Sequence, residues 1–275
     1  MIIEIHRGEN FFSLGTFWLL FMSIITLITD FGSKDYYVAL LKGQLLQAIP
    51  QATLVDITHE ITPHDIMEGA FFLRSTYRRF PKGTIHIVGV NTFYEPNSRL
   101  IVFEHEEYFF IGPNNGLFSL VLNDVDESVM IEIADQDELD LYQVIGNAVQ
   151  GISVGSPLKL LGEPLLSFER KLSLQPVVNN DQIRATILHV DHFGNVIVNL
   201  THQTFERIRK GRNFMIFYKS DDPIVRLSRG YNDVQIGDVC AFFNSIQMLE
   251  LAVHMGNAHE LLSLNKNETI QIDFF

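Results

Sequence analysis

The sequence predicts an α/β N-terminal domain, a mainly parallel sheet with flanking helices, followed by a smaller all-β, barrel-like C-terminal domain. Three observations lead there. In the first half, short apolar runs alternate with segments of helical spacing, the pattern of parallel strands joined by crossover helices. Between about Leu165 and Asp181 that alternation dissolves into Pro164, Ser167, Pro176 and Asn179-Asn180. Beyond it, short strand-like runs are separated by turn signals, as in sandwiches and barrels. The implied division is residues 22–164 for the first domain, 165–181 for a linker and 182–275 for the second.

In chain order, Ile24–Ile28 is a β-branched run ending at Thr29-Asp30-Phe31-Gly32. Tyr36 to Ile49 has helical spacing, with Tyr37, Leu40, Leu41, Leu45 and Ala48 on one face and Pro50 as the stop. Thr53–Ile57 is a second strand, and His64 to Phe80 a helix closed by Pro81-Lys82-Gly83. Thr84–Val90 is a continuous apolar strand of the kind buried on both faces. Leu100–Phe103 and Tyr108–Ile111 form a hairpin pair around Glu104–Glu107. The second domain offers Ile183–Val190, Val196–Leu200, Phe214–Tyr218, Val239–Phe243 and Thr269–Phe274 as strands, punctuated by Gly211, Gly230, Gly237 and Gly256.

Residues 1–21 stand apart. Phe11 to Phe21 is apolar and follows Arg7, loosely like a signal peptide, but Ser13 and Gly15 interrupt it and it is too short to span a bilayer. The expectation is that Met22 is the natural start and the preceding residues an unstructured extension; a targeting segment is the alternative.

The 275 residues carry 47% apolar and 19% charged side chains, as a folded soluble chain does. A formal net charge of −13, with no basic run longer than Arg78-Arg79, argues against nucleic-acid binding. The single Cys240 excludes an internal disulfide framework and any CxxC metal knuckle, so a reducing cytoplasm is the expected compartment. No segment reads as membrane-spanning.

Four short motifs carry polar chemistry. In Thr29-Asp30-Phe31-Gly32-Ser33-Lys34-Asp35, a carboxylate ends the first strand, where open α/β sheets bind ligands. Asp30 there either accepts hydrogen bonds from a ribose diol, or it or Ser33 caps the following helix. Asp56-Ile-Thr-His59-Glu60-Ile-Thr-Pro63-His64-Asp65 gathers two histidines and three carboxylates, yet lacks a His pair at helical spacing, so no metal site is expected. Its Thr-Pro-His-Asp also suits a helix start. Gly112-Pro113-Asn114-Asn115-Gly116 has turn chemistry. Asp191-His192-Phe193-Gly194-Asn195 ends a strand with an acceptor, a flat ring and an amide, a set that fits a zwitterion beside a nucleobase or simply an Asx turn. Walker and GxGxxG patterns are absent from the sequence, which leaves phosphate-loop chemistry without support.

Taken together and in order, ITLITDFGSKDYYVALLKG, LVDITHEITPHDIMEGAFFL, FPKGTIHIVGV, GPNNGL, DHFGNVIVNL and NSIQMLELAVHMGNA resemble one family over Ile24 to Phe274. It is the S-adenosylmethionine hydroxide adenosyltransferases, relatives of the bacterial fluorinase and chlorinase. The resemblance implies trimers, with the ligand between one subunit's N-terminal domain and its neighbour's C-terminal domain, and no cofactor besides the substrate. It further implies that Asp30 holds the ribose hydroxyls and that His64 faces the ribose. Asp191 and Ser245 would bind the amino-acid end. Asn195 and the backbone of Met255 would contact adenine and Tyr231 would approximately match the aromatic that stacks on it, beside the flat face that Phe193 supplies in the Asp191–Asn195 motif.

The chain also departs from that family. The family's Asp-Pro-Gly-Val-Gly becomes Asn91-Thr-Phe-Tyr-Glu95, so the catalytic aspartate position holds Asn91; the family arginine corresponds to Arg99, offset by one residue. The family's His-Gly-Arg-Asp aligns with Ile145-Gly146-Asn147-Ala148, and an arginine that binds the methionine end in fluorinase corresponds to Ile246. The expected function is hydrolysis of S-adenosyl-L-methionine at ribose C5′ to adenosine and L-methionine, impaired by these replacements. A non-catalytic adenosine-binding protein and a halogenase are the alternatives.

Overall fold

The protein is represented by a computed structural model that describes residues 23–92, 99–122, 125–133, 140–219 and 222–275. The apolar segment before Met22, and Phe93 to Glu95 of the segment after Asn91, lie outside the described residues.

The first sheet has the order β2-β1-β3-β5-β4-β6-β7. Its strands are β1 (Ile24–Thr29), β2 (Thr53–Thr58), β3 (Ile85–Gly89), β4 (Leu100–His105), β5 (Tyr108–Pro113), β6 (Ile131–Ile133) and β7 (Gly162–Pro164). Strands β2, β1, β3 and β5 run parallel, while β4, β6 and β7 extend the sheet antiparallel. Strands β1 and β3 are apolar almost throughout because both faces are covered. Ile25, Leu27, Ile87 and Val102 point to the side of α1 (Tyr37–Ala48) and α4 (Leu141–Ser153). Ile28, Val88, Phe103 and Phe110 point to the side of α2 (Ile66–Thr76) and α3 (Leu117–Val121). A buried polar pair inside the sheet joins β1 to β3 across the ladder, while His86 Nε2 is buried without a hydrogen-bond partner among the described residues. His86 Nδ1 meets Thr26 Oγ1 at 2.7 Å, and burial lowers the His86 pKa to about 4.

Two helices differ from the sequence reading. On α1 only Leu41 and Leu45 are fully buried; Tyr37 and Leu40 are exposed. A stripe of side chains four residues apart suffices where α1 meets α4, because Gly146 lets Gln44 approach closely. Helix α2 begins at Ile66 rather than His64, with Asp65 as the cap accepting from the Glu68 amide at 3.0 Å. His64 has φ +69°, which no helical residue can adopt. Helix α4, unforeseen from the sequence, carries a complete capping box between Asp140 and Gln143.

Residues 165–176 form neither helix nor strand, but polar clamps fasten them: Asn114 binds the backbone of Ser167 and Glu169, and Asn199 binds that of Leu174. The second sheet is antiparallel in the order β11-β14-β9-β10-β13-β12, a half-barrel, with β8 (Val177–Val178) alongside β9. Its strands are β9 (Gln182–Val190), β10 (Val196–Thr201), β11 (Phe214–Phe217), β12 (Val239–Phe243), β13 (Met248–Val253) and β14 (Thr269–Phe274). Ile187, Val198, Phe205, Leu251 and Phe274 fill it; Phe205 comes from α5 (His202–Arg209), and α6 (Ala258–Leu261) follows β13.

The two units meet along α2. His189 stacks on Phe71 and meets Phe72 edge-on, Glu68 lies 3.6 Å from His189, and Lys266 reaches both Asp65 and Glu68. The His189 contact above all, aided by the Thr62 amide and Lys266, brings the Glu68 pKa down to about 2.

Candidate active site

Parallel strands β1, β2, β3 and β5 end on one edge of the first sheet, and β4 begins there opposite Pro113. That edge therefore collects Asp30, His59, Asn91, Asn114 and Arg99. In the order β2-β1-β3 the chain leaves β1 toward either side, so the crevice beyond β1 and β3 is the topological switch point, where doubly wound sheets bind ligands.

Asp30 stands in that crevice with its side chain only 8% exposed. Its Oδ2 accepts the backbone N–H of His64 at 2.9 Å and that of Asn91 at 3.0 Å. Both donors have positive φ, +69° and +54°, in the left-handed region that side chains other than glycine rarely occupy. Asparagine tolerates it better than most residues, which gives Asn91 a conformational reason to be where it is. Asp30 thus gathers two loops and does not cap α1, whose N-cap is Tyr36 without a side-chain bond. The half-exposed His64 ring brings Nδ1 to 4.0 Å from Asp30 Oδ2.

Beneath this crevice His59, 9% exposed, joins Nδ1 to Thr29 Oγ1 at 2.8 Å and accepts the Gly32 amide at its carbonyl. Its Nε2 lies 3.1 Å from Asp56 Oδ1 but is misaligned for a hydrogen bond. The second motif is therefore a staple between β1 and β2. Among the described residues no group of three His, Cys, Asp or Glu side chains is placed to hold a metal. The Pro-Asn-Asn-Gly turn is likewise a clamp: Asn115 Nδ2 donates to the Val90 carbonyl at 2.9 Å, fixing the residue before Asn91. Arg99 sits at the start of β4 with its guanidinium exposed and ion-paired to Glu132. Ile145 lies mid-helix in α4, 4% exposed in the core on the α1 side, so a histidine there would be an imidazole in apolar surroundings.

A second cluster forms on the C-terminal half-barrel. Asp191 Oδ1 accepts the amides of Phe193 and Asn195 at 2.9 and 2.8 Å, and Oδ2 accepts Asn195 Nδ2 at 2.9 Å. This is the Asx turn that the residues allowed. Gly194 permits it: φ is +81°, and a Cβ there would fall 2.0 Å from Asn257 Oδ1. Asn195 Nδ2 also reaches the Tyr231 hydroxyl at 3.3 Å, which donates to Glu250 Oε1 at 2.6 Å; Asn244 Nδ2 binds Glu250 Oε2 at 3.0 Å. Burial, then the bond to Glu250, raises the Tyr231 pKa above the usual phenol range. Phe193 is 72% exposed and Met255, at φ +59°, is 82% exposed, while the Tyr231 ring packs edge-on against Phe242. Ser245 is exposed, and its carbonyl accepts from Arg79 at 3.0 Å.

Asp191, Asn195 and Tyr231 are thus brought together, and Asp30, His64 and Asn91 form a separate group. Sequence reasoning missed Glu250 and Asn244, whose signal was a single carboxylate inside the apolar run Met248–Val253. A cavity of about 250 Å³ between α2 and the second unit is lined by Glu68, Phe71, Arg74 and Met248. Neither cluster lines it.

Residues 25–150 match the SAM hydroxide adenosyltransferase N-terminal domain, and residues 185–271 match the C-terminal domain of the same name. An (R)-S-adenosyl-L-methionine hydrolase of Methanocaldococcus jannaschii is 28% identical over 274 residues, spanning 91% of this chain and 96% of its own length. A fluorinase of Nocardia brasiliensis is 26% identical, spanning 90% and 96%. The crystal structure of an uncharacterized conserved protein from Thermotoga maritima superimposes with a TM-score of 0.79 at 25% identity, over 91% of this chain and 99% of that one.

Proposed function

This chain belongs to the SAM hydroxide adenosyltransferase family, and on that premise we propose that it cleaves S-adenosyl-L-methionine with water to adenosine and L-methionine. The observation that carries the reading is Asp30: a nearly buried carboxylate at the switch point, held through Oδ2 alone. Its Oδ1 accepts from no described residue, which suits the two hydroxyls of a ribose. His64 borders the same crevice. The second cluster supplies the rest: Asn195, Phe193, Tyr231 and the backbone of Met255 for adenine, Asp191 and Ser245 for the amino-acid end. Because Phe193, Met255 and Tyr231 stand exposed, we place the complete site between subunits of a homotrimer; the single Cys240 fits a reducing cytoplasm.

The reaction is an in-line displacement. A water oxygen bonds to C5′ as the C5′–S bond breaks, the electron pair leaves on sulfur as neutral methionine, and the water's proton passes to solvent. A sulfonium leaving group requires neither general acid nor metal or other cofactor. The protein's contribution is then to desolvate and align the nucleophile, for which Asn91 and Arg99 are the candidates. Asn91 can orient a water through its amide but cannot take its proton.

The test is incubation of purified protein with S-adenosyl-L-methionine, with and without chloride or fluoride, and chromatographic identification of the nucleosides. Adenosine and methionine in equal amounts are expected. A 5′-halogenated nucleoside would replace water by halide as the nucleophile, and binding without any turnover would make the chain a binding protein.

A further inference from the structure

Glu250 is 4% exposed in the middle of β13, and among the described residues no cation partners it. A carboxylate in that position is costly unless each bond it accepts is well made. Following the protons outward shows what those bonds do. A carboxylate only accepts, so the single Tyr231 proton points to Oε1 and the hydroxyl oxygen is left to accept. Asn195 Nδ2 supplies both of its protons, one to Asp191 Oδ2 and one to Tyr231. Its Oδ1 accepts from no described residue and is not among the sealed, unpartnered polar atoms, so it opens to solvent. Flipping the amide would set Oδ1 against a carboxylate and a hydroxyl with no proton to give.

We propose that Glu250 is a positioning residue: through Tyr231 it locks the Asn195 amide with its oxygen outward and so makes the site select 6-amino over 6-oxo purine nucleosides. This rests on the reading that Asn195 faces the base. An outward acceptor pairs with an exocyclic amine and opposes a carbonyl.

The isosteric Glu250→Gln variant tests it sharply. Asn244 must remain a donor, because its Oδ1 is held by the amides of Ile246 and Met248. The new carboxamide therefore turns its oxygen to Asn244 and its NH₂ to Tyr231, and the tyrosine proton swings toward Asn195. The amide then faces a donor if it stays, or the Asp191 carboxylate if it flips. Adenosine and inosine are titrated calorimetrically into wild type, E250Q, Tyr231→Phe and the double variant. Wild type should favour adenosine by roughly 10- to 100-fold, the range of one buried unpaired polar group, and E250Q should reduce that ratio at least fivefold. In the Tyr231→Phe background E250Q should change the ratio no further, since the effect runs through the hydroxyl; general unfolding would not respect that condition. A ratio unchanged in E250Q, or an equal loss when E250Q is added to Tyr231→Phe, overturns the proposal. If E250Q does not fold, Tyr231→Phe alone decides, with an unchanged ratio again overturning it. Wild type that binds neither nucleoside removes the underlying reading instead.

Discussion

Replacing Asp30 by alanine separates two roles that one carboxylate holds together. In the protein Oδ2 takes the amides of His64 and Asn91, both in left-handed conformations. Hydrogen bonds to a charged group contribute about 1.5–3 kcal/mol each, but the freed loops relax and water replaces part of the loss. A net cost of about 2–4 kcal/mol is then reasonable, which in a chain of this size lowers Tm by roughly 5–12 °C. Ribose binding is a second, separable quantity: loss of the remaining oxygen should weaken adenosine by about 1.5–3 kcal/mol, or 10- to 150-fold. Asp30→Asn divides the two. Its carbonyl oxygen can still accept both amides, so Tm should recover by at least half, while its NH₂ in place of the second oxygen leaves the ribose hydroxyls poorly matched. Differential scanning calorimetry and adenosine titration of the three proteins measure both. If Asp30→Ala melts with wild type and binds adenosine as well, Asp30 organises neither the loops nor the ligand, and the site lies elsewhere.

Two more outcomes follow from the structure. Asn91→Asp adds a carboxylate on the residue whose backbone amide Asp30 accepts, and repulsion between two neighbouring carboxylates disfavours ionising both. Single-turnover hydrolysis should then rise about 10²-fold with a new pH dependence, and an unchanged rate and profile would refute it. His86, with its pKa lowered by burial from 6.5 to about 4, is neutral when folded and protonated when unfolded between those values. Stability is therefore full above pH 6.5 and falls by up to about 3 kcal/mol as pH drops toward 4. Urea midpoints at pH 4.5 and 7 should show the loss in wild type and a smaller one in His86→Leu; an equal loss in both would assign the acid sensitivity to other groups.

How far the sequence reveals this molecule depends on the range over which each interaction acts. Strands β1 and β3 were legible because burial on both faces writes a continuous apolar run. Helix α4 is equally local in origin, with Asp140 and Gln143 boxing its start and Val144, Ile145, Ala148, Val149 and Ile152 buried. Strand β13 was obscured because Glu250 interrupts its apolar alternation, and its justification lies 19 residues away at Tyr231. The start of α2 was misread for a similar reason. Nothing adjacent to His64 explains φ +69°, whereas Asp30, 34 residues earlier, does. Asp30 itself was visible from its place at a strand end, but its partners were not.

The same distinction bears on how the site diverges from its family. The residues proposed to hold the adenosyl group also hold backbone: Asp30 bonds two loop amides, Asp191 closes the Asx turn, and Asn115 clamps Val90. Changing any of them disturbs the loops as well as the ligand. Position 91, which we propose matches the family aspartate, needs a residue that accepts φ +54° and offers its amide to Asp30, and asparagine meets both demands. Recognition is therefore tied to the architecture while proton transfer is not. An isosteric change at Asn91 keeps the backbone amide that Asp30 accepts, so Asn91→Asp should change the rate of water attack at the cost of the charge repulsion with Asp30.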